Sequence, residues 1–401
     1  MAISINLGMR TIFQSAYTIK PNISEYIDAL DPRDLSLLAM LGWGTEAGTL
    51  RSGADNLSFP ATQTVHTWQG DSLIPAKGTL GAAYTSGGGT LTLTTGEGDY
   101  IRVGDQIVVN GVHYIVTAQT TSTVDVTVLA GSTDANHDSG DIWINMGSMV
   151  LDGETFQTDY QSTDLTTDFN HTQIFRNAVS VSGTSLATEK FGIDDEFARE
   201  LGKKFEEMVI QLEKAAIYGK RTATHPTANA TRALVRRMGG LAHFIRDDAA
   251  ANVVDAEGAM LTEQMLVNLL EDIWSDGGNP TMIMVGSRQK RMLYSFIVPY
   301  VRTDINNDRA GIQVGTYVSD YGSLEIVLSR HLLPTDLVVL SPQYIAMGPL
   351  KGNGEDRSFH LIPEPVKGDS VEATILGEYT MEVRNAKTAH GWIKNLGTSL
   401  S

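Results

Sequence analysis

More than a hundred residues of this chain carry too few apolar side chains to form a core of their own. They comprise an N-terminal stretch, 1–58, and two extended stretches, 59–75 and 149–184. Long stretches without regular structure are uncommon inside a compact single domain. Laid across neighbouring copies they would bury surface, and many weak contacts would sum by multivalency. The sequence therefore favours a protein completed by other copies of itself, in rings that close only if the contact angle adapts.

Between the two extended stretches, residues 76–148 are rich in glycine and threonine. Apolar residues alternate with polar ones there, which predicts short strands. Asn110-Gly111 separates the apolar runs 107–109 and 114–116, and this dipeptide is typical of a type I′ hairpin turn, whose central residues need positive φ. We predict a small all-β module of five or six strands. The extended stretches on either side of it would be the two legs of one long hairpin.

Residues 188–219 show the clearest helical pattern in the chain. Thr188 is the expected N-cap, and Gly219 is expected to end the helix. Apolar residues recur at spacings of three and four, with charged residues mainly on the other side. Such a helix would be roughly 45 Å long at 1.5 Å per residue, which suits a spine. The predicted core positions of this spine helix are Phe197, Leu201, Phe205, Met208 and Leu212.

The second half of the chain mixes helices and strands. A second amphipathic helix is predicted at 262–275 with Trp274 on its apolar face, and a third at 287–296. The continuous apolar run Met282–Val285 predicts a buried strand. Further strands are predicted at 311–318, 324–328, 336–340, 344–347, 359–362 and 370–384. These elements indicate an α+β fold class.

Composition excludes several classes of protein. The chain has no cysteine, so disulfide frameworks, thiolate metal sites and cysteine nucleophiles are absent. The net charge of −17 comes without a basic stripe, which argues against a sequence-specific nucleic-acid binder. No apolar run is long enough to predict a membrane span.

No catalytic motif accounts for the sequence. There is no nucleophile elbow, no phosphate-binding loop and no dinucleotide fingerprint. The nine histidines are scattered and form no zinc-binding pair on one helix face. The acidic run 304–308 resembles the start of a calcium loop, but Arg309 and Gly315 stand where that loop needs glycine and glutamate. We predict no catalytic residue, no metal and no cofactor, and therefore not an enzyme.

Two charged clusters have structural interpretations. The acids at 194–196 suit the N-terminus of a helix, where they offset the helix dipole. Arg232, Arg236 and Arg237 lie close to Gly239-Gly240. We expect these arginines to form salt bridges between subunits rather than contacts with DNA phosphates.

Several motifs, in this order and spacing, resemble one family. They are Phe59-Pro60 with Trp68, VGDQI at 103–107, NHTQIF at 170–175, VSVSGT at 179–184, GEYTMEVRN at 377–385 and AHGW at 389–392. The chain is similar to the SU10-like group of tailed-bacteriophage major capsid proteins, within the HK97 fold. His171 stands where the family usually has tyrosine.

The resemblance implies an HK97-type capsid fold divided into four parts. The implied parts are an N-terminal arm at 1–58, an extended loop at 59–184 that includes the inserted β-module at 76–148, a peripheral domain at 185–239 and 376–397, and an axial domain at 240–375.

The implied function is that of a structural subunit of an icosahedral phage head, which self-assembles into hexamers and pentamers enclosing the DNA genome. Implied partners are further copies of the chain, portal, scaffolding and decoration proteins, and non-specifically bound double-stranded DNA, with no membrane. The virion is the expected location, after assembly in the host cytoplasm. Assembly contacts are expected at Trp68, Arg176, Arg232, Arg236, Arg237, Glu378 and Arg384.

An alternative function is a carbohydrate-binding or adhesive virion surface protein that acts through the β-module. Exposed rings of Tyr100, Tyr114 or Trp143 could stack on sugars. The opposing interpretation is that these rings fill the small core of the module.

Overall fold

The structure is a computed structural model that describes most of the chain. The described residues are 35–41, 43–46, 49–52, 60–149, 162–190, 193, 195–223, 235–249, 252–297, 301–302, 315–365 and 368–398. The chain divides into two compact units, Gln69–Asp168 and the remainder. Helices and sheets are both abundant, and the predicted α+β class is confirmed.

The unit Gln69–Asp168 contains a six-stranded antiparallel sheet within the predicted module. Its strands are β4 (Lys77–Thr79), β5 (Thr90–Thr92), β6 (Asp105–Val109), β7 (Val112–Gln119), β8 (Thr123–Val128) and β9 (Ile142–Ser148), in the order β4-β9-β6-β7-β8-β5. Asn110 and Gly111 both have positive φ, at 47° and 83°, so the predicted hairpin turn is confirmed. Tyr114 and Trp143 are completely buried in the module core.

The predicted hairpin is present in part. Strand β3 (Val65–Gly70) pairs with β10 (Thr166–His171), so six residues of each extended stretch pair as predicted, whereas residues 173–182 of the second stretch form a strand that pairs with Ser370–Tyr379. Residue 59 and residues 150–161 of those stretches lie outside the described residues.

The spine helix begins later than predicted. A short helix, α2 (Gly183–Ala187), ends before Thr188, and the spine helix is α3 (Glu196–Tyr218). Asp195 is its N-cap, because its backbone is extended and its carboxylate accepts a hydrogen bond from the Ala198 N–H at 3.0 Å. Thr188 instead donates its hydroxyl hydrogen to the Thr184 carbonyl, so the predicted cap is wrong. The helix is therefore about 35 Å long.

The buried face of α3 is concentrated in its C-terminal half. Met208 and Leu212 are buried, whereas Leu201 and Phe205 are partly buried against the same core. Phe197 is partly exposed and lies outside that core. The buried residues of α3 are Met208, Val209, Leu212, Glu213, Ala216 and Ile217.

Two larger sheets complete the second unit. The four-stranded sheet contains β11 (Gln173–Ser182), β18 (Ile345–Pro349), β21 (His360–Pro363) and β22 (Ser370–Val383), with β22 paired along both edges. The seven-stranded sheet contains β12 (Val253–Asp255), β13 (Met282–Val285), β14 (Val301–Arg302), β15 (Gly315–Ser319), β16 (Gly322–Leu328), β17 (Leu337–Leu340) and β23 (Gly391–Lys394), in the order β12-β23-β17-β13-β16-β15-β14.

The last strand lies inside the seven-stranded sheet, where β23 pairs with β12 and β17. The predicted domain boundaries stay predictions.

The remaining elements of the two units are short strands and helices. They are α1 (Ser36–Met40), β1 (Trp43–Glu46), β2 (Thr49–Ser52), 3₁₀-helices Glu97–Tyr100 and Pro342–Tyr344, the π-helix Ala242–Ala249, α4 (Glu263–Ser275), α5 (Ser287–Ile297), β19 (Lys351–Gly352) and β20 (Glu355–Asp356). Among the described residues, no helix has the length and apolar character to cross a membrane.

Trp274 does not lie on the buried face of α4 as predicted. It is 60% exposed, while its neighbour Ile273 is completely buried. Adjacent helical residues are rotated by about 100°, so one residue past Ile273 already faces solvent.

We predict that Leu212→Ala lowers the free energy of unfolding by about 3 kcal/mol, because a buried leucine is lost from a packed core. Phe197→Ala is the matched control on the same helix, and it should cost less than about 1 kcal/mol. Urea unfolding of the unassembled subunit, followed by circular dichroism, measures both. Equal losses for the two variants would contradict the assigned buried face.

Candidate assembly site at the root of the long hairpin

Strand β22 carries polar and apolar side chains on opposite faces. Tyr379, Met381 and Val383 contribute to the core. Glu378 and Glu382 lie on the other face and are each only 2% exposed. Carboxylates are rarely buried unless paired, so this face requires basic or hydroxyl partners.

Glu378 receives hydrogen bonds from three separate segments of the chain. Arg236 donates from Nη2 to Oε1 at 3.0 Å, and Arg357 donates from Nε to Oε2 at 2.8 Å. The Thr172 hydroxyl donates to Oε1 at 2.6 Å. The arginine side chains are 36% and 39% exposed, so the charge is compensated while both cations keep part of their hydration. Glu378 therefore joins the end of β10, the segment after the spine helix and the loop before β21.

Glu382 forms the second centre on the same face. The ring Nε2 of His66, on β3, lies 3.0 Å from its Oε2, and Arg384 contacts its Oε1. Burial raises the pKa of Glu382, but the bonds to His66 and Arg384 outweigh it and leave the pKa below its ordinary value. Its contribution to stability is therefore present above the ordinary glutamate pKa and is lost as pH falls through the lowered one.

Asn170 anchors the second leg of the hairpin to the body. Its side chain is completely buried, and its Nδ2 donates to the carbonyls of Gly239 at 3.0 Å and Met381 at 2.6 Å. Its Oδ1 accepts from the Gly239 N–H at 2.8 Å. At Gly240 a side chain is excluded, because a Cβ would lie 2.5 Å from the carbonyl oxygens of Ala215 and Ala216.

Trp68 anchors the first leg through apolar contact. Its ring packs edge-on against Phe244 of the π-helix, with centroids 5.6 Å apart. Together with the two carboxylates and Asn170, it makes up what we call the hairpin root: His66, Trp68, Asn170, Thr172, Arg236, Arg357, Glu378, Glu382 and Arg384.

The predicted assembly residues divide into three groups. Trp68, Arg236, Glu378 and Arg384 lie in the hairpin root, where Arg236 pairs within its own chain. Arg176 and Arg237 are exposed and make no ion pair with a described residue. Arg232 lies outside the described residues.

Sequence reasoning missed five of the nine residues of the hairpin root. His66, Asn170, Thr172, Arg357 and Glu382 were not singled out as contacts. The available signal was the alternation of Glu378, Thr380 and Glu382 in an otherwise apolar strand, which indicates one polar and one apolar face. The partners could not be read from the sequence, since Arg236 and Glu378 are 142 positions apart.

A third buried carboxylate connects the arm to the spine helix. Glu213 of α3 is completely buried, and its Oε1 accepts from the Ser36 hydroxyl at 3.0 Å and the Leu37 N–H at 3.2 Å. Its Oε2 accepts from the Leu38 N–H at 3.3 Å. Burial raises the pKa of Glu213 to about 7, although these three donors oppose the shift. Glu213 thus binds the free N–H groups at the start of α1.

The described residues offer little for catalysis or ligand binding. No group of three or more His, Asp or Glu side chains among them is arranged to hold a metal. The candidate calcium loop at 304–309 lies outside the described residues, and Gly315 begins β15. Burial lowers the pKa of His390 to about 4, and its Nδ1 accepts from the Ser341 N–H, which is a structural contact.

The carbohydrate hypothesis is not supported. The rings of Tyr114 and Trp143 have no exposed face, because both fill the core of the β-module, and Tyr100 is only partly exposed. The interpretation of these residues as core residues is correct for Tyr114 and Trp143.

Comparison with known proteins gives a family match that covers nearly the whole chain. A family model described as SU10 major capsid protein matches residues 5–397. No curated protein matches the sequence. A similar solved structure is that of Mycobacterium phage Cain, with 10% sequence identity, a TM-score of 0.48, and coverage of 98% of this chain and 100% of that chain. Another is that of Microbacterium phage Oxtober96, with 12% sequence identity, a TM-score of 0.46, and coverage of 96% of this chain and 98% of that chain. The SrpI encapsulin complex from Synechococcus elongatus PCC 7942 has 10% identity, TM-score 0.41 and coverage of 59% and 81%.

We predict that Glu378→Ala destabilises the subunit by about 3 kcal/mol, because it leaves three donors without their shared acceptor. Arg357→Ala should cost less, since Arg236 and Thr172 remain on the carboxylate. Glu355→Ala, at an exposed position of β20, is the control and should change little. Urea unfolding of the unassembled subunit measures all three, and a loss for Glu378→Ala no larger than the control would refute the role of this carboxylate.

We also predict a pH dependence that arises from Glu213. Since its pKa is raised in the folded state, its stabilising contribution is complete below the ordinary glutamate pKa and is lost as pH rises through about 7. The wild-type subunit should lose up to about 3 kcal/mol of stability between pH 4 and pH 8 from this group. Glu213→Gln should remove that component. Denaturation at a series of pH values checks this, and identical pH profiles for wild type and variant would contradict it.

Proposed function

The chain belongs to the SU10 major capsid protein family, whose members are structural subunits of icosahedral phage heads, and on that premise we propose that it assembles as hexamers and pentamers around the genome. Its α+β fold is of the HK97 type. The observation that carries the proposal is the hairpin root, which fixes a long two-stranded hairpin to the body through buried, directional bonds. Neighbouring copies would then meet hairpin strands whose base is held in a defined orientation.

We propose that the hairpin itself adapts the angle between neighbouring subunits, which differs between pentamers and hexamers. Strands β3 and β10 form a two-stranded sheet that joins no larger sheet among the described residues. Two-stranded ribbons twist more strongly than larger sheets and are only marginally stable alone. A rigid root with a compliant ribbon supports one subunit that fits two kinds of ring.

The remaining partners follow from the proposed role. Portal, scaffolding and decoration proteins are expected partners of a head shell, and assembly is expected in the host cytoplasm. Contact with packaged double-stranded DNA should be non-specific and weak, because 47 acidic residues outnumber 30 Lys and Arg residues and the net charge of −17 repels phosphates. The subunit is expected to have no catalytic activity.

We predict that the purified protein, alone or with its scaffold, forms closed shells of uniform curvature. Asn170→Ala should still fold, but it should give shells of mixed size or open sheets, because the second hairpin leg loses its anchor. Asn268→Ala, on the exposed side of α4, is the matched control. Negative-stain electron microscopy decides between these outcomes.

Two results would count against this proposal. A wild-type protein that remains a stable monomer at high concentration would contradict assembly itself. Uniform shells from Asn170→Ala would contradict only the role of the hairpin root.

A further inference from the structure

Opposite ends of the seven-stranded sheet carry groups of opposite charge. Helix α4 ends at Ser275, before β13 begins, and α5 starts at Ser287, directly after β13 ends. The turn between β15 and β16 lies at the α4 end, because β16 runs parallel to β13, with Met282 opposite Glu325. The C-terminus of α4 and the N-terminus of α5 are therefore separated by the length of a strand.

The α4 end carries an exposed aromatic pair among carboxylates. Trp274 packs on Tyr321 with ring centroids 6.0 Å apart. Glu271 and Asp320 are exposed and near enough to the Tyr321 hydroxyl to contribute to its raised pKa, although burial contributes most. Neither carboxylate forms an ion pair with a described residue. We call Glu271, Trp274, Asp320 and Tyr321 the acidic aromatic patch.

The α5 end carries arginines without acceptors. Arg288 and Arg291 are three positions apart and therefore neighbours on the helix surface. The Nε and Nη2 atoms of Arg288 are buried and have no hydrogen-bond partner. Arg291 is exposed and makes no ion pair within the described part of the chain. Buried donors without an acceptor are costly. Neither Arg288 nor Arg291 has an acidic partner among the described residues, and we call these two residues the basic helix patch.

The two patches carry opposite charge, lie near opposite ends of β13, and form no ion pair with each other. We infer that the acidic aromatic patch of one subunit binds the basic helix patch of the next subunit head to tail. The Arg291 guanidinium would cover the exposed face of Trp274 and donate to Glu271 and Asp320, and Arg288, which is partly exposed, would add a second positive charge beside them. Contacts between two different patches close into rings when the rotation permits. This inference rests on the proposed function, since it assigns a contact within its rings.

Charge exchange tests this contact directly. One double variant is Arg288→Glu with Arg291→Glu, and the other is Glu271→Arg with Asp320→Arg. Each should lower the yield of closed shells by about tenfold or more, because like charges then face each other. The quadruple variant restores opposite charges and should recover at least about half of the wild-type yield. Circular dichroism and the mass of the unassembled subunit verify folding.

Engineered cysteines give a second measurement that does not depend on charge. The chain has no cysteine, so the only disulfides will be those introduced. Trp274→Cys combined with Arg291→Cys should form, on oxidation of assembled shells, a ladder of covalent oligomers up to the ring size. Each single variant should give no dimers, because the contact joins two different patches.

The outcomes separate this contact from the proposed function. Failure of the wild-type protein to form shells overturns both. Normal shells from the wild type and from both charge-reversed double variants, or dimers from either single cysteine variant, overturn the head-to-tail contact alone. An absent ladder in the double cysteine variant also overturns it.

Discussion

Two carboxylates buried on one face of β22 organise the body of this subunit. Buried carboxylates are costly without hydrogen-bond donors, and the donors to Glu378 and Glu382 come from five places in the chain: His66, Thr172, Arg236, Arg357 and Arg384. Each donor belongs to an element that must be correctly placed before the charge is compensated. The hairpin legs, the segment after the spine helix and the four-stranded sheet are consequently positioned by the same pair of side chains.

The arm is held by the same kind of interaction. Glu213 of the spine helix accepts hydrogen bonds from the Ser36 hydroxyl and from the N–H groups at the start of α1, and these bonds join α1 to the spine helix. Apolar packing alone does not specify direction, whereas hydrogen bonds to a carboxylate have a required geometry.

Local signals predicted much of the fold from the sequence, and long-range contacts limited the rest. Asn110-Gly111 predicted its turn because positive φ is a local requirement, and alternating residues predicted most strands of the body. The start of the spine helix was misplaced because Thr188 and Asp195 are both acceptable caps, and only the backbone distinguishes them. The hairpin root was predicted in part, through Trp68, Arg236, Glu378 and Arg384. Arg357 and His66 gave no local sign of their partners, which lie far away in sequence.

The chain enters the β-module after strand β3 and returns from it to strand β10, and these two strands are paired. Gly70 and Thr166, near its two connections, are neighbours joined by a hydrogen bond, and paired strands hold such residues about 5 Å apart. The module also has its own core, built around Trp143. The rest of the subunit therefore requires only that the segment between Gly70 and Thr166 begins and ends at neighbouring positions. We therefore expect that a foreign domain with adjacent termini can replace the module without changing the contacts of the hairpin root.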